Sequence, residues 1–398
     1  MKNIYLYKNL NKQDYEILDI DWGRKQSKFY SQLHNIASYL AMFTPSLPSF
    51  FINKYSNKND WVMDNFSGRG TTSLVARELD RNFVGTDLNP YSYVLTKAKQ
   101  STSSKEKIIK KIILLKNNYY KNIEVYKEKI LQIDPILKYY YSEETLSQLI
   151  YLREILGKKW QKNNEINNLI LAFAIGIMHG PMKKNKNDTI YYSLSMSNAI
   201  SMSPNYVKNY AIKHNLIKPN VDVFQKIIDR VNSKYDDILL KECNSKMYLH
   251  DATIECNKID DNLISLVITS PPYMNIVNYT SSNWLKLWLL GFEKNELSNI
   301  KLSDKHNFNN YVLFIKKYLN AIYKKLKIGA KVCLVVGDVH NNELIENVWK
   351  QIENDVKYKF IEIYYDYNYK QNNKVTNMLN KKKSQATKIE KVLVIEKV

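Results

Sequence analysis

Long apolar runs are missing from this sequence. A bilayer-spanning helix needs roughly 20 consecutive apolar residues; the best candidate, Leu169 to Met178, reaches about half of that and reads as a buried helix. Met1 to Leu10 carries lysines but no apolar stretch followed by a small-residue cleavage site, so no secretory signal is expected. Cysteine is scarce, and Cys243, Cys256 and Cys333 lie far apart with no CxxC spacing. That argues against a structural zinc site or a disulfide framework and makes a cytoplasmic, reducing setting the expectation. The six histidines are scattered, so no metal is expected either. Acid is also short: 39 Asp and Glu stand against 59 Lys and Arg, a net charge of +20.

That excess has two readings. A polyanionic partner would profit from it, because lysines that neutralise phosphates release counterions. A coding bias would produce it too, since the chain is crowded with Lys, Asn, Ile and Tyr. Composition leaves both open. With 44% hydrophobic and 12% aromatic residues the chain has enough apolar material for a proper core, and 398 residues suit one elaborated domain or two.

Along the chain, Trp61 to Asn65 is a short apolar run that ends in Ser67-Gly68-Arg69-Gly70. Thr71 to Leu79 has helical spacing, and Asn82 to Asp87 is a second short strand ending in an acid. This β-turn-α-β unit opens a doubly wound sheet. Leu263 to Thr269 and Lys331 to Gly337 read as buried strands, and Phe360 to Tyr367 with Ile389 to Glu396 as an antiparallel pair. Between about 100 and 245, lysines alternate with Ile, Leu and Tyr at helical spacing, which predicts a mainly helical insertion. No solenoid repeat is present.

Two motifs carry chemistry. Glycines two apart after a strand, at Gly68 and Gly70, let backbone approach a cofactor and aim a helix N-terminus at it. Ser73 stands where a dinucleotide fingerprint would have its third glycine. Asp87 closes the next strand, where a carboxylate can accept both hydroxyls of a ribose. Alone, each is an ordinary turn feature; together they indicate a nucleotide-like cofactor. The second motif is Thr269-Ser270-Pro271-Pro272-Tyr273 at the end of an apolar strand. Two prolines remove backbone donors and leave carbonyls free to accept. An exocyclic amino group of a base is a poor nucleophile because its lone pair is delocalised into the ring. Acceptors at both its hydrogens, the Ser270 hydroxyl oxygen and the Pro271 carbonyl, would favour a pyramidal nitrogen ready for in-line methyl transfer. Tyr273 would stack on a base flipped from the duplex.

These residues resemble the amino-methylating DNA methyltransferases. Asp64 to Thr72 matches that family's DxFxGxGTT motif, and Ser270 to Tyr273 its (D/N/S)PP(Y/F) motif. Phe43 to Tyr55 looks like the element preceding the first motif, His250-Asp251-Ala252 like the segment near the adenine ring, and residues 326 to 338 like the following helix-to-strand passage. The resemblance implies a Rossmann-like doubly wound α/β methyltransferase sheet with a terminal antiparallel strand pair and a mainly helical insertion. It implies S-adenosylmethionine as cofactor, bordered by Thr44, Asp64, Phe66, Gly68, Gly70, Thr71, Thr72, Asp87, Asp251 and Ala252. Ser270, Pro271, Pro272 and Tyr273 would be catalytic. A serine in first place usually accompanies N4 of cytosine, so a site-specific cytosine-N4 methyltransferase of a restriction-modification system is the expectation. Its partner would be double-stranded DNA, with any restriction endonuclease acting separately and no membrane involved.

The domains expected are 1–98 (cofactor turn), 99–245 (insertion, candidate target-recognition region) and 246–398 (catalytic motif). Within 368–388, Lys374, Lys381, Lys382 and Lys383 are candidate DNA contacts, because lysines without an acid repel unless a polyanion faces them. Trp284 and Trp288, at helical spacing, read as core. The glycine turn precedes the catalytic run, the reverse of the commonest serine-type order. Adenine N6 therefore stays open as the target, as do an RNA or tRNA amino-methyltransferase and a non-catalytic DNA-binding protein of decayed methyltransferase fold.

Overall fold

Apolar side chains alternate along the central strands, and each set feeds a different layer, as the two-residue period of a strand requires. The computed structural model describes residues 3–23, 30–40, 42–181, 189–236, 242–272, 279–300, 307–338, 343–367 and 389–398. Among these, nine strands form one sheet: β1 (Asn3–Tyr7), β2 (Tyr15–Asp19), β3 (Trp61–Asp64), β4 (Asn82–Asp87), β5 (Ser245–Leu249), β6 (Ile264–Thr269), β7 (Leu326–Asp338), β8 (Tyr358–Asp366) and β9 (Ile389–Lys397). Their order is β2-β1-β8-β9-β7-β6-β3-β4-β5. Strands β5, β4, β3, β6 and β7 run parallel, whereas β9 inserts antiparallel between β7 and β8.

The helices are α1 (Ser46–Tyr55), α2 (Thr71–Glu78), α3 (Pro90–Ala98), α4 (Lys105–Lys121), α5 (Ile123–Glu128), α6 (Glu143–Leu152), α7 (Glu165–Gly176), α8 (Pro204–Lys213), α9 (Val223–Lys234), α10 (Tyr279–Ser282), α11 (Trp284–Leu289), α12 (Phe308–Ile322) and α13 (Leu344–Ile352). Val62, Phe83, Leu266 and Ile268 point to the face covered by α1 and α2, with Leu47, Phe51, Ile52 and Val75. Met63, Val84, Val267 and Leu334 point to the other, against Tyr311, Ile315, Tyr318 and Leu319 of α12 and Val348 of α13. Burial on both faces explains why β3 and β6 read as continuous apolar runs. A third core joins the insertion helices to α3 and α11, and Trp284 and Trp288 lie inside it. None of these helices is long and apolar enough to cross a membrane.

The doubly wound sheet, the antiparallel pair β8/β9 and the helical insertion are as the sequence predicts. Two elements are new: β1 and β2 form a hairpin that extends the sheet beyond β8, and β5 adds a parallel strand beyond β4 at the other edge. The topology also locates the site. From β3 the chain builds outward through β4 to β5, then returns to the opposite side of β3 with β6 and β7. Ligands of open α/β sheets bind outside the carboxyl ends of the strands at such a reversal. Here that places the crevice beyond Asp64 of β3 and Thr269 of β6.

Candidate active site

The glycine turn caps β3 and starts α2. Gly68 and Gly70 both take left-handed backbone, at φ +52° and +72°. Glycine is required at Gly70 on a second count, since a Cβ there would lie 2.7 Å from Cα of Thr96 in α3. The turn closes with the Gly70 amide donating to the Ser67 carbonyl at 2.7 Å. At Gly68 a Cβ would meet the ring of Tyr39 at 3.4 Å, so this ring, rather than open space, stands in front of the turn. Tyr39 in turn stacks on Tyr91, with ring centroids 5.5 Å apart, and its hydroxyl accepts from Asn89 at 3.1 Å. Only its adjacency to the Phe43–Tyr55 segment could have flagged Tyr39 in the sequence.

Asp87, half-buried at the end of β4, accepts from the Gly68 amide at 2.9 Å, the Asn89 amide at 2.9 Å and the Ser92 hydroxyl at 2.6 Å. Burial pushes its carboxyl up, against the pull of these hydrogen bonds. Its backbone carbonyl accepts from the His250 amide at 3.1 Å, which brings the His250-Asp251-Ala252 segment beside it. Asp251 is occupied by the amide and hydroxyl of Thr253, both at 2.8 Å, and Ala252 is buried. Thr44 is half-buried; its hydroxyl donates to the Trp22 carbonyl and lies 3.0 Å from that of Ser46.

Asp64 is the hub. Only 1% exposed, its carboxylate accepts from the hydroxyls of Thr269 and Thr72, each at 2.7 Å, and from the Phe66 amide at 3.2 Å. One side chain thereby ties β3, the first turn of α2 and the end of β6 together. Burial raises its pKa to about 6, with those hydrogen bonds opposing. Asp64 and Thr72 thus spend their side-chain oxygens on each other, and Thr71 accepts from Arg69 Nε at 3.2 Å. Phe66 packs against Tyr318 and Phe314, with centroids 5.3 and 5.8 Å away.

Immediately beyond Thr269 come Ser270, half-buried, Pro271, buried, and Pro272, half-buried. Tyr273 lies outside the described residues, as do Lys374, Lys381, Lys382 and Lys383. The fold thus brings the glycine turn, the strand-end acid and the start of the serine-proline run to one end of the sheet, across the β3–β6 pair.

Two buried lysines were not visible in the sequence. Lys99 donates to the Arg69 carbonyl of the glycine turn at 2.6 Å, and burial holds its pKa well below the ordinary value. Lys286 of α11, 1% exposed, faces the Ser38 and Asn198 carbonyls at 3.4 Å and Asn283 Oδ1 at 3.3 Å, with the Tyr91 ring 4.9 Å away. Burial lowers its pKa to about 7. The same ammonium helps depress His179, itself buried, to about 3, after burial as the larger cause.

The donor set suits a nucleoside carrying positive charge. Asp64 and Asp87 are close enough that the second raises the pKa of the first, and no basic side chain is among the hydrogen-bond partners of either among the described residues. Such a site favours a cationic ligand with hydroxyls to donate, as a sulfonium nucleoside has. Sheet order, glycine turn and strand-end acid together define the doubly wound fold of S-adenosylmethionine-dependent methyltransferases.

Comparison with known proteins narrows the class. Residues 2–98 match the family model described as DNA methylase. The chain is 24% identical over 360 residues to the type II methyltransferase M.BsoBI of Geobacillus stearothermophilus, covering 83% of this chain and 67% of that protein. It is 23% identical over 307 residues to M.MvaI of Kocuria varians, covering 72% and 65%. The chain thus spans about two thirds of the length of these relatives. Thermus thermophilus TrmN overlays with a TM-score of 0.32 at 9% identity, over 96% of this chain and 56% of that one, too slight a likeness to bear on function. The family model covers the segment that holds the glycine turn and Asp87, and this likeness to methyltransferases implies S-adenosylmethionine as the methyl donor.

Proposed function

We propose that this protein transfers a methyl group from S-adenosylmethionine to the exocyclic N4 amino group of cytosine in DNA, as the site-specific modification enzyme of a restriction-modification system. The observation that carries the reading is the tie across the switch point. Ser270 and Pro271 follow Thr269, whose hydroxyl is hydrogen-bonded to Asp64 at the root of the cofactor turn. Acceptors for an amino group would therefore stand on the strand next to the acids that suit a cationic nucleoside. Bound there, S-adenosylmethionine would supply an electrophilic methyl group. The Ser270 hydroxyl oxygen and the Pro271 carbonyl accept the two amino hydrogens and localise the nitrogen lone pair. Tyr273 stacks on the extruded base. Asp87 anchors the ribose.

A DNA substrate is supported by the net charge of +20 and by relatives named as type II methyltransferases. In this reading, 1–98 and 246–398 form the methyltransferase domain and 99–245 carries target recognition, with Lys374, Lys381, Lys382 and Lys383 on the phosphates. The test is methyl incorporation from labelled cofactor into duplex DNA and, separately, into total tRNA. Digestion of the methylated DNA to nucleosides then identifies the base. N4-methylcytosine is expected; N6-methyladenine would move the target to adenine, and labelled tRNA with unlabelled DNA would refute the proposal.

A further inference from the structure

Helix α8 rests on the body along one face, through Val207 and Ala211, and exposes the other. Of its ten residues only Val207 is buried. Pro204 opens it, and the Ser203 hydroxyl caps it by accepting from the Tyr206 amide at 3.3 Å. Residues just before it are held firmly. The Ser201 amide donates to the Ser282 carbonyl of α10 at 2.7 Å, and the Tyr140 hydroxyl to the Met202 carbonyl at 2.9 Å. Ala199 and Ile200 pack on Leu40, next to the Tyr39 that stands before Gly68. The helix therefore starts beside α10, which follows the catalytic run in the chain, and beside the segment covering the cofactor turn.

Its outward side has an uncommon composition. Tyr206, Tyr210 and His214 recur every four residues and form a ladder: the tyrosine rings stack at 5.8 Å and 15°, and the histidine ring lies 4.3 Å from Tyr210. Tyr206 is 44% exposed and Ile212 66%. Asn205, Asn209, Lys208 and Lys213 are exposed around them, and neither lysine has an ion-pair partner among the described residues. From Thr189 to Val221 the sequence contains no Asp or Glu. An aromatic ladder with exposed rings costs solvation unless something covers it, and a helix without acids and edged by lysines suits a polyanion.

We infer that α8 is the element that docks on the target duplex, entering the major groove with Asn205 and Asn209 toward base edges and Lys208 and Lys213 on flanking phosphates. This rests on the proposed DNA substrate. The groove, about 12 Å wide, admits one α-helix, and asparagine can pair bidentately with adenine. The tyrosine ladder covers sugar and base edges, and anchoring through Ser201 and Met202 fixes the distance from recognition to chemistry.

The experiment uses the full chain with labelled cofactor and a pool of random-sequence duplexes. Binding is followed by fluorescence anisotropy at several KCl concentrations. Lys208→Ala/Lys213→Ala is expected to lower the salt slope by about 2, since each phosphate contact contributes about 0.9. Tyr206→Ala/Tyr210→Ala is expected to weaken duplex binding at least tenfold, with cofactor affinity by calorimetry and thermal midpoint unchanged. Unchanged slope and affinity, in a wild type that methylates duplex DNA, would overturn the role of α8 and leave the proposed function standing. A parallel loss of cofactor affinity would overturn it too, by making α8 a structural element. A wild type that binds and methylates tRNA but not DNA would overturn both.

Discussion

Removal of the Asp64 carboxylate is the sharpest perturbation of this site. Three donors converge on it, the Thr269 and Thr72 hydroxyls and the Phe66 amide. Hydrogen bonds to a charged group contribute about 1.5–3 kcal/mol each. The rise from 3.8 to about 6 is already the net of burial against those hydrogen bonds, a preference for the neutral acid of about 3 kcal/mol. Asp64→Ala leaves the Thr269 and Thr72 hydroxyls without this acceptor, at about 1–3 kcal/mol each, and should be roughly 2–6 kcal/mol less stable than wild type in urea denaturation at pH 7. Asp64→Asn isolates the charge. Because the folded-state pKa is raised, the group's proton is held more tightly in the folded chain. Its contribution is full below the unfolded value of 3.8 and is lost as pH rises through about 6. Wild-type stability relative to Asp64→Asn should therefore fall by about 2.4 kcal/mol between pH 4 and 7. Glu362 titrates in the opposite sense: burial would raise it, but Lys54, Lys8, Tyr364 and Tyr55 hold it at about 2. It is common to both proteins and cancels. A loss under about 1 kcal/mol in Asp64→Ala, or parallel pH curves for wild type and Asp64→Asn, would refute the account of Asp64 as the tie between cofactor turn and catalytic strand.

Other changes probe single parts of the site. Gly70→Ala combines a left-handed φ with a Cβ 2.7 Å from Thr96 Cα and should cost at least about 2 kcal/mol in the same assay. Asp87→Ala should abolish cofactor binding by calorimetry; retained affinity would remove the acid from the ribose role. Ser270→Ala should leave cofactor affinity intact and slow single-turnover methylation by about 10²–10³, the usual cost of one preorganised hydrogen-bonding group. Equal rates would make the hydroxyl a turn residue. Lys286, its pKa depressed by burial to about 7, holds fewer protons folded than unfolded between that value and 10.5. Wild-type stability should therefore rise with pH across that window, and Lys286→Met should remove the slope; a persisting slope would assign it to other groups.

The sheet was legible in the sequence where local pattern and burial coincide. Asn82 to Asp87 is a strand at the residues expected, and β6 begins one residue later than Leu263. Strands buried on both faces have no choice but to be apolar throughout. The β1–β2 hairpin escaped because its outer strand is an exposed edge: Tyr15 and Ile17 are 56% and 49% accessible, so alternation carries little signal. Glycines and strand-end acid were legible as a turn chemistry, since positive φ demands residues of that kind. The tie of Asp64 to Thr269 was not, because 205 residues separate the partners and no local spacing encodes it. Nor was Lys286, which sits in Trp284–Leu289, an apolar hexapeptide whose single charge would ordinarily face water.

The same separation has a consequence during synthesis. Met63 of β3 pairs with Val267 of β6. At about 5–20 residues per second, the intervening chain takes roughly 10–40 s to emerge. Throughout that interval β3 has β4 on one side and an unpaired parallel edge on the other, and the face that α12 and α13 later cover is open. The insertion helices, with a core of their own against α3, complete within the delay and sit beside a half-built sheet. Nascent chains ending before residue 264 therefore present a sticky strand edge, the kind of surface chaperones capture and proteases clear. Ribosome stalls in the insertion should thus yield chaperone-bound fragments, whereas stalls after β7 should not.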